Sequence, residues 1–185
     1  MGTKYFGRNE ILGILGIFIF LILATLYGFV GSALRGRDIQ RKLDMGTLVG
    51  GLKEYRQKFG NYPDHSADFK IVACKGPSFK VLAACRWGID SLTSQLEANY
   101  PPFIPTLPQD PRYKEGYAYY YKSNGRNILV LGFLEDIADP EYNPKLKALK
   151  LPCGIKICNF GRTYQGQILD LNYDLSNNEV LNEKN

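Results

Sequence analysis

The clearest pattern in the sequence is an apolar run, Ile11 to Val30, that contains no charged residue and no proline. A helix rises about 1.5 Å per residue, so the run is long enough to cross the ~30 Å hydrocarbon core of a bilayer. A cleaved signal peptide has a shorter apolar core, about 7–15 residues, before a small-residue site that Gly31–Ala33 could imitate. We predict a membrane anchor, with a cleaved signal as the alternative.

After the anchor the pattern becomes amphipathic. Between Asp38 and Phe59 the apolar residues recur mostly at steps of three and four, and charged residues fill the opposite side. This spacing is typical of an amphipathic helix. Gly60 stands where a helix C-cap is expected, and Pro63 follows it. We therefore expect one helix to continue from about Glu10 to Phe59.

The strongest β signal is a pair of apolar, tyrosine-rich segments, Tyr117–Lys122 and Asn127–Leu134, on either side of the turn sequence Ser123–Arg126. The Asn-Gly pair in that turn favours a hairpin. The second segment is apolar on both faces, as expected of a strand covered on each side. We expect a third strand within Tyr164–Tyr173.

The rest of the chain gives weaker signals. Residues 61–90 are interpreted as an irregular connection with a helical turn near Phe79–Cys85. Asp90 or Ser91 could cap a short helix that ends at Asn99. The segment Tyr100–Arg112 is rich in proline, which predicts a stiff loop.

Together these elements predict an α+β fold, in which a long N-terminal helix packs on a small antiparallel sheet. The predicted organisation is a basic leader (1–10), a transmembrane helix (11–30), an amphipathic extension (31–60), an exported head (61–175) and a flexible tail (176–185).

Net charge limits the classes of partner. The formal charge of +5 comes entirely from residues 1–60, because residues 61–185 hold equal numbers of acidic and basic residues. A nucleic-acid-binding head would be expected to carry a basic excess of its own. We therefore expect no nucleic acid partner.

Four cysteines, all after the anchor, indicate the compartment of the head. An even number in an exported domain favours two disulfides, although reduced cysteines in a cytosolic domain are an alternative. The spacings do not fit a zinc ribbon or a redox motif, and the pairing with the shortest loops is Cys74–Cys85 with Cys153–Cys158. The count of basic residues near the anchor favours a cytoplasmic head instead. We follow the cysteines and place the head outside.

No catalytic motif is present in the sequence, so we expect no enzymatic activity. The only histidine, His65, lies beside Asp64 without an evident nucleophile. One acidic group could bind Ca²⁺ through hard oxygen ligands, with a solvated acidic loop as the alternative. Its residues are Glu135, Asp136, Asp139 and Glu141.

Glu10, at the start of the apolar run, allows two interpretations. It could lie in the first turn of the helix, with Asn9 as the cap, where the helix dipole favours a carboxylate. Alternatively, it could be a charge that needs a positive partner on another subunit when helices pack side by side, because a charge within a membrane is costly.

The basic leader, the glutamate, the apolar run and the sequence "LKEYRQKFGNYP" (Leu52–Pro63) together resemble type IV pilin-like proteins. The major pseudopilins of type II secretion are the most similar group. The run Arg37–Asp44 resembles the stalk-to-head segment of that family, and Leu107–Arg112 followed by "YAYYY" resembles its head. The resemblance covers about residues 4–135.

The resemblance implies a structural subunit, cut by a prepilin peptidase and assembled by its machinery into a helical filament. The cut would fall between Tyr5, where the family has glycine, and Phe6, which would become the methylated first residue. The glutamate, here Glu10, would neutralise a neighbour's new amino terminus. The family topology, with the N-terminus in the cytoplasm, agrees with an exported head. The alternative is a single-pass membrane protein with an exported binding head that does not polymerise.

Overall fold

The computed structural model describes residues 7–76, 81–93 and 101–163. Its first element is one long helix, α1, from Arg8 to Phe59. The continuous helix predicted from the sequence is therefore confirmed. It ends at Gly60, whose positive φ of 84° suits a residue without a side chain, and whose N–H donates to the Arg56 carbonyl.

The start of α1 corrects the predicted cap. The carbonyl of Gly7, not of Asn9, accepts the first helical hydrogen bonds, from the N–H groups of Glu10 and Ile11. The Glu10 carboxylate in turn accepts from the Gly7 N–H at 2.9 Å. This reciprocal pair is half of a capping box, so Glu10 stabilises the helix start.

The chain divides after Arg37 into two compact units. In the first unit, every large apolar side chain described between Ile11 and Leu26 is exposed. This part of α1 is long and apolar enough to cross a membrane, with none of its most apolar window buried inside the protein.

The second unit contains the remainder of α1 and small antiparallel sheets. The fold class is therefore α+β with one long N-terminal helix, as expected. In chain order the elements after α1 are β1 (Asp64–His65), β2 (Ile71–Lys75), β3 (Leu82–Ala84), a 3-10 turn (Tyr113–Glu115), β4 (Tyr120–Ser123), β5 (Ile128–Gly132), α2 (Pro144–Ala148), β6 (Pro152–Cys153), β7 (Lys156–Ile157) and β8 (Phe160–Thr163).

The first sheet has the order β1-β2-β3 and lies where we expected an irregular connection. The helical turn predicted near Phe79–Cys85 is wrong for its second half, because Leu82–Ala84 is a strand paired with β2. The strand β2 has only five residues, and its buried and exposed positions do not alternate regularly. Such a short segment is easily missed in a sequence.

The second sheet has the order β4-β5-β8, and its first two strands form the predicted hairpin. All five residues of β5 are buried, which confirms the strand predicted to be covered on both faces. The third strand is β8, immediately before the predicted range Tyr164–Tyr173, which lies outside the described residues.

The segment before the hairpin is a loop in its described part, 101–112, as its prolines predict. Ile104 alone forms an isolated bridge, with Leu92. The helix expected from Asp90 to Asn99 lies mostly outside the described residues. The Asp90 carboxylate does not cap it but accepts from the Arg86 backbone and guanidinium.

The core forms where α1 meets both sheets. Met45, Leu48 and Leu52 of the helix are fully buried and pack in one cluster with residues of β2, β5 and β8. A second cluster joins β5 to Leu146 of α2. Both disulfides favoured from the sequence are present, Cys74–Cys85 and Cys153–Cys158, and each closes a short loop beside one of these clusters.

Candidate functional site

The most unusual feature of the second unit is a fully buried arginine. Arg41 lies on the face of α1 that packs against the head, and none of its surface is exposed. Its guanidinium donates to three carboxylates, those of Asp38 (2.7 Å), Glu135 (2.8 Å) and Asp110 (2.8 and 3.1 Å). A buried charge is retained only when it is paired and hydrogen-bonded in this way.

Each carboxylate comes from a different part of the chain. Asp38 is one turn before Arg41 on α1, Asp110 lies in the proline-rich loop, and Glu135 follows β5. These four residues, Asp38, Arg41, Asp110 and Glu135, are called the arginine latch below. The latch therefore connects the long helix to two separate segments of the head.

Backbone groups complete the latch. The Asp38 carboxylate accepts from the N–H groups of Glu135 (3.0 and 3.1 Å) and Asp136 (2.9 Å). The Arg112 N–H donates to Asp110 at 2.8 Å, and the Arg112 guanidinium donates to Glu135 at 3.1 Å. Because so many lone pairs are used, each acid is held in one position.

The charge balance explains the protonation state of Arg41. Burial alone would lower the pKa of the guanidinium, but the hydrogen bonds to Asp110, Glu135 and Asp38, together with the charge of Asp110, outweigh burial and raise the pKa above its ordinary value. Arg41 therefore stays charged, and its removal would leave buried carboxylates without a cation. Loss of one partner from a buried ion pair costs about 3–5 kcal/mol.

A second polar contact lies one turn further along α1. The Asp44 carboxylate accepts from the Tyr119 hydroxyl at 2.5 Å and from the Gln40 amide at 2.7 Å. Burial raises the pKa of Asp44, and the two hydrogen bonds only partly oppose it. Burial, together with the neighbouring Asp44 carboxylate, also raises the pKa of Tyr119. The hydrogen bond between these two groups joins α1 to the residue immediately before β4.

Three residues of the acidic group proposed as a calcium site form ion pairs with arginine or lysine side chains. Glu135 pairs with Arg41 and Arg112. Asp139 pairs with Lys42 at 2.6 Å, and Glu141 pairs with Arg162 at 2.5 Å.

Asp136 completes the acidic group, and its carboxylate accepts from the Ala138 N–H. Among the described residues, no three His, Cys, Asp or Glu side chains are grouped so as to hold a metal ion. Cationic side chains therefore pair with Glu135, Asp139 and Glu141, and calcium binding by the acidic group stays a prediction. Burial would raise the pKa of Asp139, but Lys42 brings it below its usual value.

The other candidate residues lie apart from the latch. Glu10 caps the start of α1 in the first unit, and Phe6 lies outside the described residues. His65 is half-buried, with its Nδ1 3.0 Å from the Ser123 carbonyl oxygen.

Sequence reasoning missed the latch, although a signal was present. Asp38 and Arg41 are spaced three apart on the helix face that Met45 and Leu48 continue, so charged residues occupy a predicted buried stripe. Charges at such positions indicate a buried ion pair.

Comparison of the chain with protein-family models, with curated proteins and with solved structures found no match. What the chain does is therefore inferred from its own residues and their geometry.

Proposed function

We propose that the chain is a structural subunit of a pilin-like filament, anchored in the membrane and self-assembled through its N-terminal helix. The observation that carries the proposal is that the two parts of α1 have different surroundings. Its first part exposes an apolar surface from Ile11 to Leu26, whereas its second part is fixed to a disulfide-bonded α+β head. Function would be self-association, without a catalytic step.

The exposed apolar surface of α1 is unfavourable in water and favours burial in an apolar environment. Side chains of this size each gain about 1.5–3 kcal/mol on leaving water. A bilayer covers them before assembly, and the helices of other copies cover them in a filament. Both environments favour a helix that is apolar all round.

The latch supports the same function. A subunit held in a filament through its helix must transmit force from that helix to its head. Arg41 binds the proline-rich loop and the segment after β5 to α1 through charge-assisted hydrogen bonds. Such bonds are about twice as strong as neutral ones.

The disulfides support an exported head with a cytoplasmic N-terminus. Disulfides persist in oxidising compartments and are rare in the cytosol. The two bonds therefore favour the orientation that the cysteine count predicted over the one that the positive charges near the anchor indicate.

A second candidate function is a single-pass membrane protein with an exported binding head that does not polymerise. The observation in its favour is that the Glu10 carboxylate caps its own helix by binding the Gly7 N–H. A carboxylate satisfied in this way needs no partner from another subunit.

The test is assembly of the Glu10→Ala variant. The chain would be expressed with a pilin assembly machinery and its prepilin peptidase, and filaments would be counted by electron microscopy. We expect filaments with wild type and none with Glu10→Ala, although the variant still reaches the membrane. Glu54→Gln, a change at an exposed glutamate of the same helix, is the control and should assemble normally. Normal filaments of Glu10→Ala would show that Glu10 has no role in register.

A further inference from the structure

A cleft of about 530 Å³ lies where α1 ends, between that helix, β1 and the hairpin turn. Its volume is within the range of about 300–1,000 Å³ that is typical of small-molecule sites. The latch lies on other residues, so the cleft is a separate feature. Three aromatic rings, those of Tyr55, Phe59 and Tyr62, form part of its lining.

The aromatic rings are held in place by their neighbours. Tyr55 and Phe59 contact each other with ring centroids 4.6 Å apart, and Phe103 packs edge-on against both. The Arg56 guanidinium lies over the Tyr62 ring, 5.0 Å from its centroid. Tyr55 and Phe59 are only half-buried, so part of each ring remains open to the cleft. A partly open, fixed aromatic surface binds an apolar ring face at a small entropic cost.

The charged side chains that line the cleft have a net formal charge of zero. One acid, Asp64, and one base, Arg126, line it, together with the amides of Asn61 and Asn124. Within the described part of the chain, neither the Asp64 carboxylate nor the Arg126 guanidinium forms an ion pair. Burial, and then the nearby Asp64 carboxylate, raise the pKa of Tyr55.

From this arrangement we propose that the cleft binds a neutral saccharide. A pyranose ring presents an apolar C–H face that packs on an aromatic ring. Its hydroxyl groups both donate and accept, so they can satisfy the Asp64 carboxylate and the Arg126 guanidinium at once. An anionic ligand would require a cationic excess, which the lining does not have.

A peptide added as a further strand fits the cleft less well. The Tyr62 N–H donates to the Gly125 carbonyl, and the Ser123 N–H and carbonyl both face His65 Nδ1. The Tyr62 N–H, the Gly125 carbonyl and one of the two Ser123 groups are therefore in use, because Nδ1 either accepts from the N–H or donates to the carbonyl. Strand addition needs such groups to be open. The proposal does not depend on filament assembly, because the cleft belongs to one chain.

The experiment uses the full chain in a zwitterionic detergent without a sugar headgroup, applied to an array of neutral and acidic glycans. Maltotriose, cellotriose and triacetylchitotriose are then titrated in solution as neutral probes. We expect at least one neutral glycan to bind, and the Asp64→Asn and Arg126→Gln variants each to weaken it about tenfold or more.

Glu54→Gln, an exposed change outside the lining, is the matched control and should bind within about twofold of wild type. Trp87 fluorescence, which reports the core, should be the same in all variants. The proposal fails if no neutral glycan binds, if Asp64→Asn and Arg126→Gln bind like the control, or if only acidic glycans bind. Loss of bound glycan to an unrelated extended peptide at equal concentration would also overturn it, in favour of peptide recognition.

Discussion

Replacement of Arg41 by methionine should destabilise the second unit more than any exposed charge change. Methionine keeps most of the buried volume but leaves the carboxylates of Asp38, Asp110 and Glu135 with no guanidinium between them. Breaking a buried ion pair on one side costs about 3–5 kcal/mol. Since whole domains are stable by only about 5–15 kcal/mol, this is a large part of the total.

Urea unfolding of the full chain in detergent measures the effect. The chain contains one tryptophan, Trp87, which is buried and packs edge-on against Tyr119, so its fluorescence follows the head. A loss of 3–5 kcal/mol should lower the urea midpoint by about 2 M, because the slope is typically about 1–3 kcal/mol per molar urea. The Arg35→Met variant, at an exposed arginine of the same helix, should stay within about 0.5 kcal/mol of wild type.

Two further measurements distinguish the loss of the ion pairs from the loss of packing as the cause of the destabilisation in Arg41→Met. Adding Asp110→Asn to Arg41→Met should restore part of the stability, because it removes one uncompensated charge. Lower pH should also reduce the deficit of Arg41→Met, since protonation neutralises the stranded carboxylates. The latch does not fix the helix to the head if the free energy of unfolding of Arg41→Met lies within about 1 kcal/mol of wild type. The same conclusion follows if Asp110→Asn destabilises the Arg41→Met variant as much as it destabilises wild type.

Two other predictions concern α1. Gly51→Ala should destabilise the head by about 1–3 kcal/mol in the same urea assay, because its Cβ would lie 2.2 Å from Ile104 Cγ1. Gly50→Ala has no atom within 4 Å of its Cβ and should stabilise the head by up to about 1 kcal/mol. Equal effects of the two substitutions would refute the close packing of Gly51 against Ile104. The pKa of Asp44 is raised in the folded state above its ordinary value of 3.8. As pH rises above 3.8, wild type should therefore lose stability relative to Asp44→Asn. Parallel plots of stability against pH for the two proteins would contradict the raised pKa.

Regular, long patterns were readable from the sequence. The helix to Phe59 and the hairpin around Asn124 follow from apolar periodicity and a strong turn pair, which depend on neighbours in sequence. The cysteine pairing was readable because short loops limit the alternatives. These features need no knowledge of the tertiary structure.

Features that depend on distant residues were not readable. The strand Leu82–Ala84 has only three residues, and its pairing with β2 decides its conformation. The acidic group after β5 was predicted to be either a calcium site or a solvated loop, and the sequence did not reveal that three of its carboxylates pair with Arg41, Lys42 and Arg162. Only the folded chain brings side chains so far apart in sequence together.

The filament proposal is tested most directly at the N-terminus of the mature chain. The protein would be purified from its own membranes without reductant, and its intact mass and N-terminal peptide determined. We expect a chain that begins at Phe6, with a methylated amino group and two hydrogen atoms fewer for each of its disulfides. A chain that begins at Met1 would contradict processing by a prepilin peptidase, and free thiols would contradict an exported head.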